Sequence, residues 1–578
     1  MPSEKARGTR RAVAARSAAA FACLGAAAAG ALAGCVGRVG SGGSGTGTNP
    51  DPTNPGTPSV SELCAQQGPA LHVGRTRLRR LTRSQLSNTL RDLLGTTGNP
   101  AASIAPDERI GPFLSNGIAP ITDLIVQQHQ EAAASLAVSV QARMSEISPC
   151  NLAADSGETC ARQFVTELGR RAYRRPLDAG EVDEYVALFS LGRSQADAQN
   201  GFRMVVEAVL QSPFFLYHVD VGSQDTPSMT PVPLKAHELA ARLSYFLWDS
   251  MPDRALDALA DNGEILSASV LTSEVERMLA DRRAGDAIPA FHLQWLGIGE
   301  MDDVSKDATL FPRWNAELAA AMRAETAAFT DHVVRRGDGL IATLFTAPFS
   351  FPQGPLFALY GVTQPSGFMA GTQVDLDPAQ RGGVLTQGAF LATHAHRDQT
   401  SPVHRGIVVR ENMLCQTIPA PPPEVNAGPL PPAAGTSARD RFAAHEADPT
   451  CGTCHKAMDP IGLAFENYDA VGAYRTEEGG VTIDATGEIV GARDEAAGRF
   501  VGAIELGQKL AASQQVWGCM ADQWFRFALG RMEANDDACA RKAIHEGFSA
   551  SGGNIRQLIT ALVLSDSFRH VRSVGGGP

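Results

Sequence analysis

Along most of this chain the apolar residues recur at the three- and four-residue spacing of one helix face. Leu86, Leu90, Leu93 and Leu94 form the first clear stripe, with Thr82 placed to cap its start and Gly95 to end it. A second helix is expected over about 120–146. Residues 160–189 and 201–218 read as a helical pair joined by an Arg-Arg-Pro segment and a polar turn. Helical patterning continues through 234–280, 291–296 and 314–334, with Trp248 and Trp295 among apolar neighbours and so expected in the core. A Pro- and Phe-rich connection follows at 348–360. The apolar run 385–393 ends at His394 and His396, and Ser401-Pro402 opens a helix that carries Arg405 and Arg410 to Cys415. The proline run in 419–432 is expected to be extended, and Ser437 with Asp440 starts a short helix over 439–446. Residues 481–489 read as a small hairpin, the one clear β signal, and the remainder is helical.

One pattern occurs twice. Residues 170–175 align with 526–531, and 202–215 align with 555–568; the offset is 356 positions in the first pair and 353 in the second. Two copies of one helical hairpin are expected, differing by three residues in the intervening loop.

The arginines around 77–83 read as a solvated helix face, with an anion site as the alternative. Overall, 44% of the residues are hydrophobic and 19% charged, an ordinary globular balance, and 578 residues are too many for one core. The net charge of −12 excludes a nucleic-acid partner.

The N-terminus changes the picture more. Lys5, Arg7, Arg10, Arg11 and Arg16 precede an Ala/Gly-rich apolar run that ends Leu32-Ala33-Gly34-Cys35. That is a secretion signal over 1–35, and its end resembles a bacterial lipobox with Cys35 as the lipidated residue; ordinary cleavage is the alternative. Residues 36–62 read as a flexible Gly/Ser/Pro linker. A lipid-anchored, extracytoplasmic protein is implied, on the periplasmic side or at the cell surface of a bacterial membrane.

The chemistry centres on Cys451-Gly452-Thr453-Cys454-His455, a C-x-x-C-H attachment signature for one covalent haem c. Two thiols on one helical turn suit the two vinyl groups of a porphyrin, and His455 follows as the proximal iron ligand. A zinc half-site and a tight disulfide are the alternatives. Met458, three residues on, lies on the same side as His455 and is a poor distal ligand. His394 is the first distal candidate, followed by His445, Met413, Met520 and Met532. Arg405, Arg410 and Arg475 are candidate partners for haem propionates, against ordinary ion pairs. Asp459, Pro460 and Gly462 are expected to turn the chain off the haem helix. Glu466, Asn467 and Tyr468 are expected to cap and pack.

Six cysteines remain outside the signal and the motif: Cys64, Cys150, Cys160, Cys415, Cys519 and Cys539. The expected pairs are Cys150–Cys160 and Cys519–Cys539, which are local, and Cys64–Cys415 as a long-range staple. No nucleotide-binding P-loop, H-E-x-x-H, G-x-S-x-G or Rossmann glycine fingerprint is present.

Arg79-Arg-Leu-Thr82, Ala241-Arg-Leu-Ser-Tyr-Phe-Leu-Trp248 with Pro252-Asp253, Thr400-Ser-Pro-Val-His-Arg-Gly406, Ile418-Pro-Ala-Pro-Pro-Pro423, and the run from Cys451 through Met458-Asp-Pro-Ile-Gly462 to Phe465-Glu-Asn-Tyr-Asp469 occur in this order. The chain resembles a family of large secreted cytochrome-like proteins of Planctomycetes and myxobacteria, built from five consecutive domains of unknown function. The resemblance covers roughly 75–570. It implies haem attachment and an extracytoplasmic location, and supplies no substrate.

The expected fold class is mainly α, a multi-domain helical protein with a small c-type-cytochrome-like module and one short β-hairpin. The segments are the signal (1–35), the linker (36–62), an N-terminal helical domain (63–150), a helical hairpin domain (151–225), a central helical domain (226–375), the haem module (376–495) and a C-terminal helical domain (496–578). The leading functional expectation is mono-haem electron transfer with a redox partner protein. A haem oxidoreductase of peroxidase or oxidase type is the second reading, and a scaffold with a structural Cys/His clip the third.

Overall fold

Thr82 caps the helix Arg83–Leu94 as its position predicts. Its hydroxyl accepts the Gln85 N–H at 3.3 Å, and the Gln85 side chain accepts the Thr82 N–H at 3.2 Å. Leu86, Leu90, Leu93 and Leu94 are all buried, and Gly95 ends the helix in the left-handed region that favours glycine. The computed structural model describes residues 58–572 apart from 155–157, 224–229, 420–427, 429, 432–434 and 448–450. The signal, Cys35, most of the linker and most of the proline run lie outside the described residues. No described helix is long and apolar enough to cross a membrane.

Helices dominate, so the protein is mainly α. Among the described residues the strands form six two-stranded pairs, most of them two residues long. The expected hairpin at 481–489 is corrected. Val481–Thr482 pairs back with Glu477–Glu478, and Thr486–Ile489 pairs forward with Gly498–Val501. The alternation is real, but it belongs to two successive ladders.

All described residues belong to one compact unit that starts at Gly45. Within it the buried residues separate into two hydrophobic clusters. One draws on 81–215 together with Tyr245 and Met251. The other holds Phe113 and the residues from Val232 to Val571. The five segments drawn from the sequence therefore share two cores: a half-amphipathic helical hairpin covers too little apolar area to form its own.

The duplicated pattern is matched by duplicated structure. Thr159–Tyr173, Ala179–Gln195, Ala198–Gln211, Pro213–Leu216 and Tyr217–His218 are helix, helix, helix, short helix and strand. Gln514–Leu529, Ala538–Ala550, Ile555–Leu564, Asp566–Arg569 and His570–Val571 repeat that order. The first helix of each copy ends in the left-handed region, at Arg174 and at Gly530. An ion pair follows at the same offset in each, Arg175–Glu181 at 2.6 Å and Arg531–Asp537 at 2.7 Å.

All six expected cysteines are in disulfides, and Cys150–Cys160 is formed as predicted. The other two pairings are corrected to Cys64–Cys539 and Cys415–Cys519. The helix Val60–Gln66 lies against Ala538–Ala550, which brings the Cα atoms of Cys64 and Cys539 to 4.6 Å. Cys519 faces Cys415, just past the wide turn Val409–Met413. The first of these bonds closes a loop across 475 positions. Replacing Cys64 and Cys539 together by Ser is expected to cost about 2–4 kcal/mol, read as a lower denaturant midpoint; an unchanged midpoint would show that the bond does not constrain the unfolded chain.

Candidate functional site

Cys451 stands immediately before the helix Gly452–Leu463, and Cys454 and His455 lie in its first turn. The His455 N–H donates to the Cys451 carbonyl at 3.1 Å, which closes that turn and sets the two thiols on one side of it. Both cysteines are thiols and half-buried. The His455 side chain is 18% exposed.

The helix continues through Pro460 and Gly462 to Leu463, so these residues do not turn the chain away as expected. They serve a close approach instead. The helix packs on Pro402–Val408, and Gly406 and Gly462 are the contact points. A Cβ on Gly462 would overlap the Pro402 carbonyl, and one on Gly406 would overlap the Met458 carbonyl. Gly462→Ala is expected to lower stability by about 1–3 kcal/mol through overpacking, measured by thermal denaturation; wild-type stability would show that the two helices part without cost.

Asp459, expected only to help turn the chain, has a different place. It lies four residues after His455, the spacing that stacks side chains on one helix face. It is fully buried, and its Oδ2 is 2.8 Å from His455 Nδ1. A carboxylate on Nδ1 fixes the ring and its tautomer, and directs Nε2 outward as the ligating atom. Phe442, on the helix Ala438–Ala447, places its ring 6.5 Å from that of His455.

The three arginines proposed for propionates separate clearly. Arg405 is fully buried and donates to the carbonyls of Leu391, Phe465, Tyr468 and Asp469. Arg475 donates to Glu466 Oε2 at 2.9 Å and to the Glu466 carbonyl. Both are therefore structural, and the propionate role is corrected for them. Glu466 also accepts the Thr400 hydroxyl at 2.8 Å. Arg410 differs. It is 2% exposed, its Nε donates to the Ala457 carbonyl at 2.6 Å, and Nη1 bonds Gln416. Its Nη2 is buried with no hydrogen-bond partner, as is Arg405 Nε, but Arg405 has Glu466 at 3.7 Å, whereas no carboxylate among the described residues pairs with Arg410. Burial alone pulls the guanidinium down to about 10, with no neighbouring charge to offset it. A buried cation without a counter-charge is costly, and the Ala457 carbonyl that this one bonds is two residues along the helix from His455.

His394 follows the helix Gly388–Thr393 as its cap. Its Nε2 is 2.7 Å from the Leu296 carbonyl, and its ring packs on Phe390. It precedes Pro402, which meets Gly462 at the far end of the haem-motif helix. Burial pulls the imidazole down to about 4. Its Nε2 is thus engaged by a backbone carbonyl. Met413 and Met520 are buried in the main core, and Met532 is half-buried. Met458 is buried at 5% exposure. The His445 side chain lies outside the described residues.

The residues present fit a covalent haem. Two half-buried thiols and an oriented imidazole share a turn, and an orphaned guanidinium nitrogen stands beside it for a carboxylate.

Five family models match successive segments of the chain, each described as a protein of unknown function: DUF1587 over 79–141, DUF1595 over 160–220, DUF1592 over 234–362, DUF1588 over 381–478 and DUF1585 over 498–568. The Cys451–His455 motif falls within the DUF1588 match. No curated protein and no solved structure matches the chain.

Proposed function

We propose that this chain, built from five consecutive domains of unknown function, is an extracytoplasmic mono-haem c-type cytochrome-like protein that transfers electrons to a redox partner protein. The observation that carries this reading is the Cys451–Cys454–His455 turn with Asp459 behind the imidazole and Arg410 beside it. Haem c, when bound, supplies a one-electron iron couple. Cys451 and Cys454 would hold it by thioethers, His455 Nε2 would ligate the iron, and Arg410 would pair with a propionate. Three disulfides suit an oxidising compartment. In the same reading Cys35 carries the lipid that holds the protein to a membrane surface.

One observation favours the oxidoreductase alternative. A buried carboxylate on the proximal histidine raises its basicity and favours oxidised iron, which suits peroxidase or oxidase chemistry. The spin state of the purified, haem-matured protein separates the two. A low-spin, six-coordinate spectrum supports electron transfer. A high-spin iron that binds cyanide requires an open distal site and replaces electron transfer with the enzyme reading.

A further inference from the structure

Two of the sequence motifs play no part in the haem turn. Arg79-Arg-Leu-Thr82 and Ala241–Trp248 meet elsewhere, around a polar cavity of about 50 Å³. Its lining includes Arg79, His218, Asp220, Arg242, Tyr245 and Asp249. Ala528 from the C-terminal copy of the repeat closes another side. Four of the five matched segments thus contribute to one small space.

Most polar groups here are satisfied. Arg242 Nη2 donates to Asp220 Oδ2 at 2.7 Å, and its Nη1 donates to the Phe568 carbonyl at 2.7 Å. The Tyr245 hydroxyl shares a hydrogen bond with Thr89 at 2.8 Å and receives one from Arg174 at 3.0 Å. His218 Nε2 is 3.0 Å from Gln85 Oε1. Asp249 Oδ2 accepts from Asn88 at 3.2 Å.

The exceptions are Arg80, which also lines the cavity with no side-chain partner among the described residues, and Arg79. Its strand Arg79–Arg80 pairs with Tyr217–His218, which carries its side chain to the cavity. The guanidinium lies against Gly530, where a Cβ would overlap Nη1, and among the described residues it makes no side-chain hydrogen bond or ion pair. Arg242 and Asp220 cancel each other, so Arg79 and Arg80 leave positive charge in excess. The surroundings register that charge. His218 is held uncharged by burial and then by Arg79, Arg174 and Arg242. Burial pushes Asp249 up to about 7, which weakens it as a counter-charge. The volume corresponds to about three to five water-sized sites, the scale of one oxyanion group and far below a drug-sized pocket.

We propose that this cavity binds a small oxyanion, a carboxylate or a phosphate group, held by the planar donor fork of Arg79. A guanidinium matches either group with two parallel N–H···O bonds, and the enclosed site strengthens them. The inference stands apart from the haem assignment, because none of its residues belongs to the haem turn.

The test is calorimetric titration of the full haem-matured chain with sodium phosphate and, separately, sodium acetate, at ionic strength held constant with chloride. Saturable one-to-one binding of either anion is expected, with Arg79→Gln at least about tenfold weaker. Phosphate binding with acetate inert identifies a phosphate site, and the reverse a carboxylate site. Binding of neither anion overturns the proposal, and so does wild-type affinity in Arg79→Gln. Should Arg79→Gln fail to fold, Arg79→Lys decides. It keeps the charge, loses the fork, and is expected to bind at least about tenfold more weakly; unchanged affinity removes Arg79 from the site.

Discussion

Replacing Cys451 and Cys454 together by Ser is expected to abolish covalent haem entirely while leaving the fold in place. The expectation follows from where the thiols sit. Both are half-buried at the start of a helix, and neither belongs to either hydrophobic cluster. Ser removes two sulfurs and no core contact, so the helical circular dichroism should match wild type. A haem stain after denaturing electrophoresis reads the loss. His455→Ala should give a different result: the thioethers remain available, but the iron loses its proximal nitrogen and the absorption spectrum changes. Haem retained through denaturation in the double Ser variant would disprove the attachment site.

Asp522→Asn is expected to cost about 3–5 kcal/mol, the largest loss of stability from a single substitution proposed for this chain. Asp522 is fully buried on the helix Gln514–Leu529. It accepts from Arg541 Nε at 2.8 Å and Nη2 at 2.7 Å, and lies 2.9 Å from His545 Nε2. Beside it Arg526 donates to both oxygens of Glu533, at 2.8 and 2.7 Å. Burial alone would push the Asp522 carboxyl up; Arg541 and His545 outweigh it and hold the group far below the usual carboxylate range. The Asn side chain keeps the shape and strands the Arg541 charge. A carboxyl depressed in the folded state contributes stability above its unfolded value, lost as pH falls through its folded value. The deficit of the Asn variant should therefore be constant from about pH 5 to 8 and shrink below about pH 4. Denaturant unfolding at several pH values measures it, and equal stability of the two proteins at pH 7 would contradict the account.

Much of the fold could be read from local pattern. The Thr82 cap, the leucine stripe of Arg83–Leu94 and the Cys150–Cys160 bond all depend on residues close in sequence. The duplicated hairpin was legible for the same reason, since Arg175 with Glu181 and Arg531 with Asp537 keep one spacing. The long-range disulfides were not legible. Which helix Cys64 meets depends on how the last helices pack, and three cysteines elsewhere offered equally plausible spacings. Most strands were missed because a two-residue ladder is too short to show alternation.

At the site, the motif gave the thiols and His455, and the four-residue spacing to Asp459 carried a signal that went unused. The fates of Arg405, Arg410 and Arg475 could not be separated in sequence, since most of their partners lie far along the chain. Only packing shows that Glu466 and backbone carbonyls take up two of them and leave Arg410 with no carboxylate among the described residues. His394 ends an apolar run, which marks a buried imidazole, and the Leu296 carbonyl is its partner.

The central claim is that Cys451 and Cys454 carry one haem c with His455 on the iron. The most direct measurement is a pyridine haemochrome spectrum of the full chain, expressed with export and haem-maturation machinery, together with its intact mass after denaturation. The account predicts a c-type band at one haem per chain and a mass increased by one haem. A spectrum without that band, with the mass of the bare polypeptide, would contradict it.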